Sequence, residues 1–234
     1  MTRVTIGLLA CVCAVGCRSG GDARMVESTH TMEPGMTLQR YVESRLAETP
    51  PPERRERLEE LARAIAQAPS QPLVFICTHN SRRSQLAQVW ARAAAARFGF
   101  DELRTHSGGT EATAFHANAV AALERAGFAV GRGDEERNPT QTVVGGDGVR
   151  VSCWSKTFGD PANPQRGFTA VMTCAEADEA CPFVPGAAAR ISLPYVDPKV
   201  ADGTPDAARV YDERCAQIAR EMLWVMRRAS ELRG

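Results

Sequence analysis

The chain has no charge imbalance: 28 basic and 28 acidic side chains among 234 residues leave a formal net charge of zero. That removes the basic footprint a nucleic-acid binder carries. It has no internal repeat and no low-complexity tract, which excludes solenoids and arrays. The apolar run near the start, residues 4–16, is too short to span a bilayer. Nothing in the pattern calls for haem or a nucleotide. What stands out is eight cysteines, too scattered for a small disulfide scaffold.

Three of them, Cys11, Cys13 and Cys17, lie in the first segment. One early cation, Arg3, precedes the short apolar run, which has the shape of a secretory signal. Ala14-Val-Gly-Cys17 is similar to a bacterial lipobox, with Cys17 as the residue to be acylated. The expectation is a periplasmic or outer-membrane-anchored lipoprotein. The alternative is a cytoplasmic protein started at Met25, Met32 or Met36, since nothing before Thr37 is needed for a fold.

Four stretches follow from composition and period. Residues 1–17 form the signal and lipobox segment, and 18–36 a polar linker without apolar period. Residues 37–70 form a helical extension, with helices over Leu38–Ala47 and Glu53–Ala68. In the second, Leu58, Leu61, Ala62 and Ile65 repeat at helical spacing. Its charged residues, Arg54 to Glu60, read as a solvated face.

Residues 71–234 alternate strand and helix. Strands are expected at Leu73–Cys77, Leu103–Ser107, Phe168–Cys174 and Ile191–Leu193. Helices are expected at Gln85–Phe98, Ala117–Ala126 and Pro205–Arg228. Wholly apolar strands between helices predict an α/β fold: a four-stranded parallel sheet with helices on both faces. Residues 132–166 break the alternation and read as a hairpin insertion turning at Gly145-Gly-Asp-Gly148, a candidate cover for the site.

The chemistry concentrates where the first strand ends. Cys77-Thr-His-Asn-Ser-Arg-Arg83-Ser84 sets a nucleophile and a fixed cation with five residues between them, between strand and helix. A loop there sits at a helix N-terminus, where free N–H groups and the macrodipole favour an anion and a thiolate. Thr78, His79, Asn80, Ser81, Arg82 and Ser84 complete the candidate oxyanion loop. Arg83 can hold two oxygens bidentately. Ser84 can donate to the Cys77 sulfur, and Asn80 tolerates a left-handed backbone. Asp197, presented by Asp197-Pro198, is the candidate proton donor.

Cys174 and Cys181 stand after the third strand, at the same sheet edge as Cys77. Six residues between them do not fit a zinc pair; on a mobile segment they read as resolving cysteines. Cys215 belongs to the apolar stripe of the last helix. Cys153 has no assigned role, and no metal site is expected.

These motifs, in this order, resemble the low-molecular-weight phosphotyrosine phosphatase superfamily, and more closely its thioredoxin-coupled arsenate reductase branch. The resemblance rests on Phe75-Ile-Cys-Thr-His-Asn-Ser-Arg-Arg-Ser-Gln-Leu-Ala, His106-Ser-Gly-Gly, Met172-Thr-Cys-Ala-Glu-Ala-Asp-Glu-Ala-Cys-Pro and Asp197-Pro. It covers roughly residues 72–230. It implies that Cys77 attacks arsenate while Arg83 and the loop hold the oxygens, and that Asp197 protonates the departing oxygen. Cys174 then attacks Cys77, Cys181 attacks Cys174, and an external thiol reductant such as thioredoxin restores the enzyme, with no cofactor. The branch carries an acidic residue at its cation site where this chain has Gln88, although Asn80 and Ser107 match; that argues against a bound cation.

Two alternatives remain open from the residues alone. One is a tyrosine phosphatase that hydrolyses phosphotyrosine or a small phosphoester through a Cys77 phosphoenzyme. The other is a non-catalytic, lipid-anchored domain that binds an oxyanion or a partner.

Overall fold

The structure is a computed structural model that describes residues 37–146 and 148–234. The signal, lipobox and linker expectations, with Cys17 and the alternative starts, lie outside the described residues. Helices α1 (Leu38–Leu46) and α2 (Pro52–Gln67) precede β1 (Leu73–Cys77), α3 (Arg83–Arg97), β2 (Thr105–Gly109) and α4 (Ala117–Arg125). Then come β3 (Ala129–Arg132), β4 (Gln141–Val144), β5 (Arg150–Cys153), β6 (Phe168–Met172), α5 (Ala175–Ala180), β7 (Ala187–Ser192) and α6 (Ala207–Arg233).

The parallel sheet runs β2-β1-β6-β7. Every residue of β1 and β6 is buried, as continuous apolar strands covered on both faces must be. Side chains alternate between two cores. Leu73 and Phe75 join the large cluster under α2, α3, α4 and α6. Val74 and Ile76 join a smaller one with Phe168, Met172 and Ala177 of α5. Helices therefore lie on both faces, as expected, but unevenly.

Several boundaries differ from expectation for identifiable reasons. Strand β2 ends at Gly109 rather than Ser107. The Gly109 N–H donates to Lys156 O at 2.9 Å and its carbonyl accepts from Phe158 N at 2.9 Å, so the glycines lie inside the pairing. A Cβ on Gly108 would fall against the Phe158 backbone, which restricts that position to glycine. The expected hairpin is present as β4 and β5, and β3, which precedes the insertion, pairs with β4 to extend it to a three-stranded antiparallel sheet. Strand β3 is short and mostly exposed, so no apolar alternation announces it. Strand β7 is the alanine-rich Ala187–Ser192, longer than the expected Ile191–Leu193. Cys174 and Cys181 flank a six-residue helix, α5, instead of sitting on an unstructured segment.

The charged side of α2 is also not simply solvated. Arg54 reaches Glu221 of α6 through Nε at 3.0 Å and Nη2 at 2.7 Å. Glu221 is fully buried, so the pair must be hydrogen-bonded to be tolerated. The remaining Arg54 nitrogen, Nη1, donates to Pro194 O at 2.7 Å. Arg57 donates to Ser192 Oγ at 2.6 Å. Arg54→Ala strands Glu221 as a buried, unpaired charge, and the expected loss is about 3 kcal/mol, read from the urea midpoint at an unchanged slope. A change below 1 kcal/mol would show that the pair does not brace the fold.

Candidate active site

The loop from Cys77 to Arg83 is shaped by where its carbonyls go. Cys77 O accepts from Thr110 N at 3.2 Å, and Thr78 O from Glu111 N at 2.8 Å. His79 O accepts from Ser155 Oγ at 2.8 Å. Asn80 O accepts from Gln85 Nε2 at 3.0 Å, and Ser81 O from His116 N at 2.9 Å. Five consecutive carbonyls are thus bound by donors outside the loop. Among the described residues, none of the N–H groups of Thr78 to Arg82 donates to another group of the chain. They are left, with the first turn of α3, for an anion.

Asn80 makes the turn. Its φ of 46° is the one left-handed non-glycine conformation among the described residues, a role asparagine fills more readily than most side chains. Its Nδ2 donates to Ser84 Oγ at 2.8 Å, and its Oδ1 accepts from Lys156 N at 3.0 Å. Ser84 Oγ lies 3.1 Å from Cys77 Sγ. Because Ser84 Oγ already accepts from Asn80, its own proton is free to donate to the sulfur. The expected Ser84–Cys77 contact is present, and Asn80 orients it.

Arg83 is 5% exposed. Its Nη2 lies 2.6 Å from Asp197 Oδ2, and its Nη1 donates to Tyr195 O at 3.1 Å. Glu176 of α5 is 3.5 Å from Nη1. Nε is buried with no partner, a donor left for an oxyanion. Asp197 Oδ1 caps the short 3-10 turn Pro198–Ala201 by accepting from Lys199 N at 3.0 Å. The structure therefore brings Cys77, Ser84, Arg83 and Asp197 together.

Arg82 behaves differently from the loop residue expected. Its side chain leaves the cradle: Nε donates to Tyr211 OH at 2.5 Å and Nη2 pairs with Asp202 at 2.6 Å. His116 stacks on Tyr211. That cluster ties the loop to α4 and α6, so Arg82 contributes its backbone. The His79 side chain is half-exposed and faces Glu111 at 3.6 Å.

Cys174 is buried and lies 3.5 Å from Thr78 Oγ1, beside the loop. Its sulfur caps α5, accepting from Ala177 N at 3.4 Å. Burial pushes its thiol above the ordinary value, although hydrogen bonds from Thr78 and Ala177 oppose this. Cys181 closes the other end of α5 and is partly exposed. Both are free thiols. Cys153 and Cys215 are wholly buried, and burial holds both thiols at about 12. Both belong to the main hydrophobic core. The insertion's return stretch contacts carbonyls that point away from the cradle, so it braces the loop rather than covering it. Among the described residues, no three His, Cys, Asp or Glu side chains cluster as a metal site.

Sequence reasoning missed Gln85, Ser155 and Arg54. Each acts across at least one element boundary, and only Gln85 lies near the loop in sequence. Its helical position three residues before Gln88 carried no polar signal of its own.

This geometry defines a thiol-nucleophile oxyanion cradle at the carboxyl end of a parallel sheet. Residues 72–137 match the family model of low molecular weight phosphotyrosine protein phosphatases. An arsenate reductase of Bacillus licheniformis is 29% identical over 153 residues, covering 63% of this chain and 92% of that protein. The arsenate reductase of Bacillus subtilis is 27% identical over 142 residues, covering 61% of this chain and 84% of its own. A solved arsenate reductase from Archaeoglobus fulgidus superposes with a TM-score of 0.44 at 16% identity, over 66% of this chain and 98% of that one. The chain is thus similar to the low molecular weight phosphotyrosine protein phosphatases over residues 72–137, and to arsenate reductases over a longer stretch.

Ser84→Ala removes the donor to the Cys77 sulfur. A hydrogen bond to a charged partner is worth about 1.5 kcal/mol or more, so alkylation of Cys77 by iodoacetamide at neutral pH should slow about tenfold. An unchanged rate would show that Ser84 does not support the nucleophile.

Proposed function

We propose that the protein reduces arsenate through a three-thiol relay. The observation that carries this reading is the buried thiol of Cys174 lodged against Thr78 of the cradle, a position hydrolysis gives no use for. Arsenate enters the ring of free N–H groups and takes Arg83, displacing Asp197 from the guanidinium. Released, Asp197 acts as the proton donor. The Cys77 thiolate attacks arsenic, and one arsenate oxygen leaves as water with the proton from Asp197. Cys174 thiolate then attacks Cys77 Sγ. The S–S bond forms as the S–As bond breaks, and its electron pair reduces As(V) to As(III), released as arsenite. Cys181 attacks Cys174 Sγ and returns Cys77 as thiolate. A dithiol reductant of the thioredoxin class supplies the two electrons that reopen Cys174–Cys181.

The last exchange needs α5 to open. Cys174 and Cys181 stand at the two ends of a six-residue helix. At 1.5 Å per residue their Cα atoms are about 10 Å apart, and a disulfide needs about 4.4–6.8 Å. The helix must unwind by at least a turn.

Disulfide mapping before and after arsenate tests the relay directly. The expected result is a new Cys174–Cys181 bond in the wild-type chain. In Cys174→Ser, arsenate turnover with a thiol reductant should be lost; unchanged turnover would sink the relay. Phosphatase action is the second reading, because the same cradle and acid suffice for a Cys77 phosphoenzyme. Phosphoester hydrolysis lost in Cys77→Ser but kept in Cys174→Ser, with no arsenate-dependent disulfide, would establish it. If reduced protein turns over neither substrate, the domain is a binder.

A pH dependence follows from the burial of Cys174. A thiol held above its ordinary value of 9.0 is protonated at neutral pH, and only the thiolate attacks. The rate of arsenate-dependent disulfide formation should therefore rise from neutral into alkaline pH, followed by quenched-flow thiol counting. A flat or falling profile would exclude Cys174 as the limiting nucleophile.

A further inference from the structure

We propose that a cleft bounded by α3, the start of β2 and the end of β5 is a second anion site, which takes a small phosphorylated polyanion. Its volume is about 330 Å³, at the lower end of small-molecule pockets. No residue of the Cys77 loop lines it, nor do Asp197, Cys174 or Cys181, so it is separate from the cradle.

Its walls carry four cations, Arg92, Arg104, Arg150 and Lys156, against one carboxylate, Asp101. Among the described residues, none of the four is in an ion pair. Lys156 is the telling member. It is only 4% exposed, and its ammonium sits 4.1 Å from the Trp154 ring centre with no carboxylate at ion-pair distance. A largely buried side chain of this charge is costly without a close counter-charge; Asp160 acts on it only from beyond ion-pair distance, and the ring face returns only part of the cost. Gln88 Oε1 lines the same cleft, buried and without a donor. A hydrogen phosphate group meets both needs: its charge faces Lys156 and the arginines, and its P–OH donates to Gln88.

The local field has a second witness. His106 also lines the cleft, and its ring is pushed down to about 4 by burial, then by Lys156 and Arg104. Its imidazole is neutral at physiological pH and can still donate one N–H to a bound anion. The arginines at the rim are planar and multidentate, suited to phosphate oxygens.

The test is isothermal titration with inorganic pyrophosphate, using the full chain with its thiols reduced. Wild type should bind two equivalents, one in the cradle and one in the cleft. Arg104→Glu combined with Arg150→Glu, both exposed and outside the catalytic machinery, should reduce this to one equivalent. In Arg83→Met, which disables the cradle, one equivalent should remain, and adding the two glutamates should weaken it at least tenfold. A single equivalent in wild type, or a double-glutamate variant that still binds two, overturns the site. If Arg83→Met fails to fold, judged by its melting curve, the wild-type and double-glutamate stoichiometries decide alone.

Discussion

The structure turns on the outward anchoring of five carbonyls, from Cys77 to Ser81. A peptide unit that presents its N–H to a cavity must send its carbonyl the other way, and a buried carbonyl needs a donor. The five donors come from four pieces of the fold: the residues after β2, the return of the insertion, Gln85 of α3 and the start of α4. The parallel register that sets Cys77 opposite Gly109 brings Thr110 and Glu111 to the first two carbonyls. The insertion then finds its place as the bearer of Ser155 and Lys156, which hold His79 and Asn80. A loop fixed at all five points has little freedom to reorganise when an oxyanion arrives. Such preorganisation is the main way a polar cradle stabilises developing charge.

The N-terminal helices belong to the same construction. Arg54 fastens the chain at Pro194, three residues before Asp197, and Tyr195 O in turn holds Arg83. The Arg54 guanidinium also covers the buried Tyr195 ring. Arg57 holds Ser192, whose hydroxyl reaches Asp178 of α5 at 2.5 Å. One helical face thus restrains both the acid loop and the helix between the two outer cysteines. The extension is a brace for the catalytic elements, not an appendage.

The parts visible in the sequence were those written in contiguous residues. The apolar run Leu73–Cys77, the Cys-x5-Arg-Ser spacing and the period of Leu58, Leu61 and Ile65 each declare a local structure. The stripe of Tyr211, Cys215, Ile218 and Met222 does the same, and all four are buried. What was not visible depended on distant partners. Ser155 serves a carbonyl 76 positions earlier, and Arg54 finds Glu221 across 167. Strand β3 was missed because an exposed four-residue strand has no buried face to pattern. Helix α5 was missed because Ala-Glu-Ala-Asp-Glu-Ala is a helix former too short to stand alone; tertiary contacts make it fold.

Those contacts are concentrated in one side chain. Arg190 of β7 donates through Nε to Cys181 O at 3.0 Å, and through Nη2 to Asp178 O at 2.6 Å and Asp178 Oδ1 at 2.5 Å. At the other end, the Cys174 sulfur is itself the cap. A helix of six residues has little cohesion of its own, so its stability resides in these attachments and the Ser192–Asp178 hydrogen bond. In the proposed relay, drawing the Cys174 sulfur into a bond with Cys77 costs α5 its N-terminal cap at the moment Cys181 has to approach. In that scheme the second step removes one restraint on the third. The Arg190 contacts and the Ser192–Asp178 hydrogen bond then remain to be broken before Cys181 can reach Cys174. The thiol that would advance the proposed relay is also the group that caps the helix.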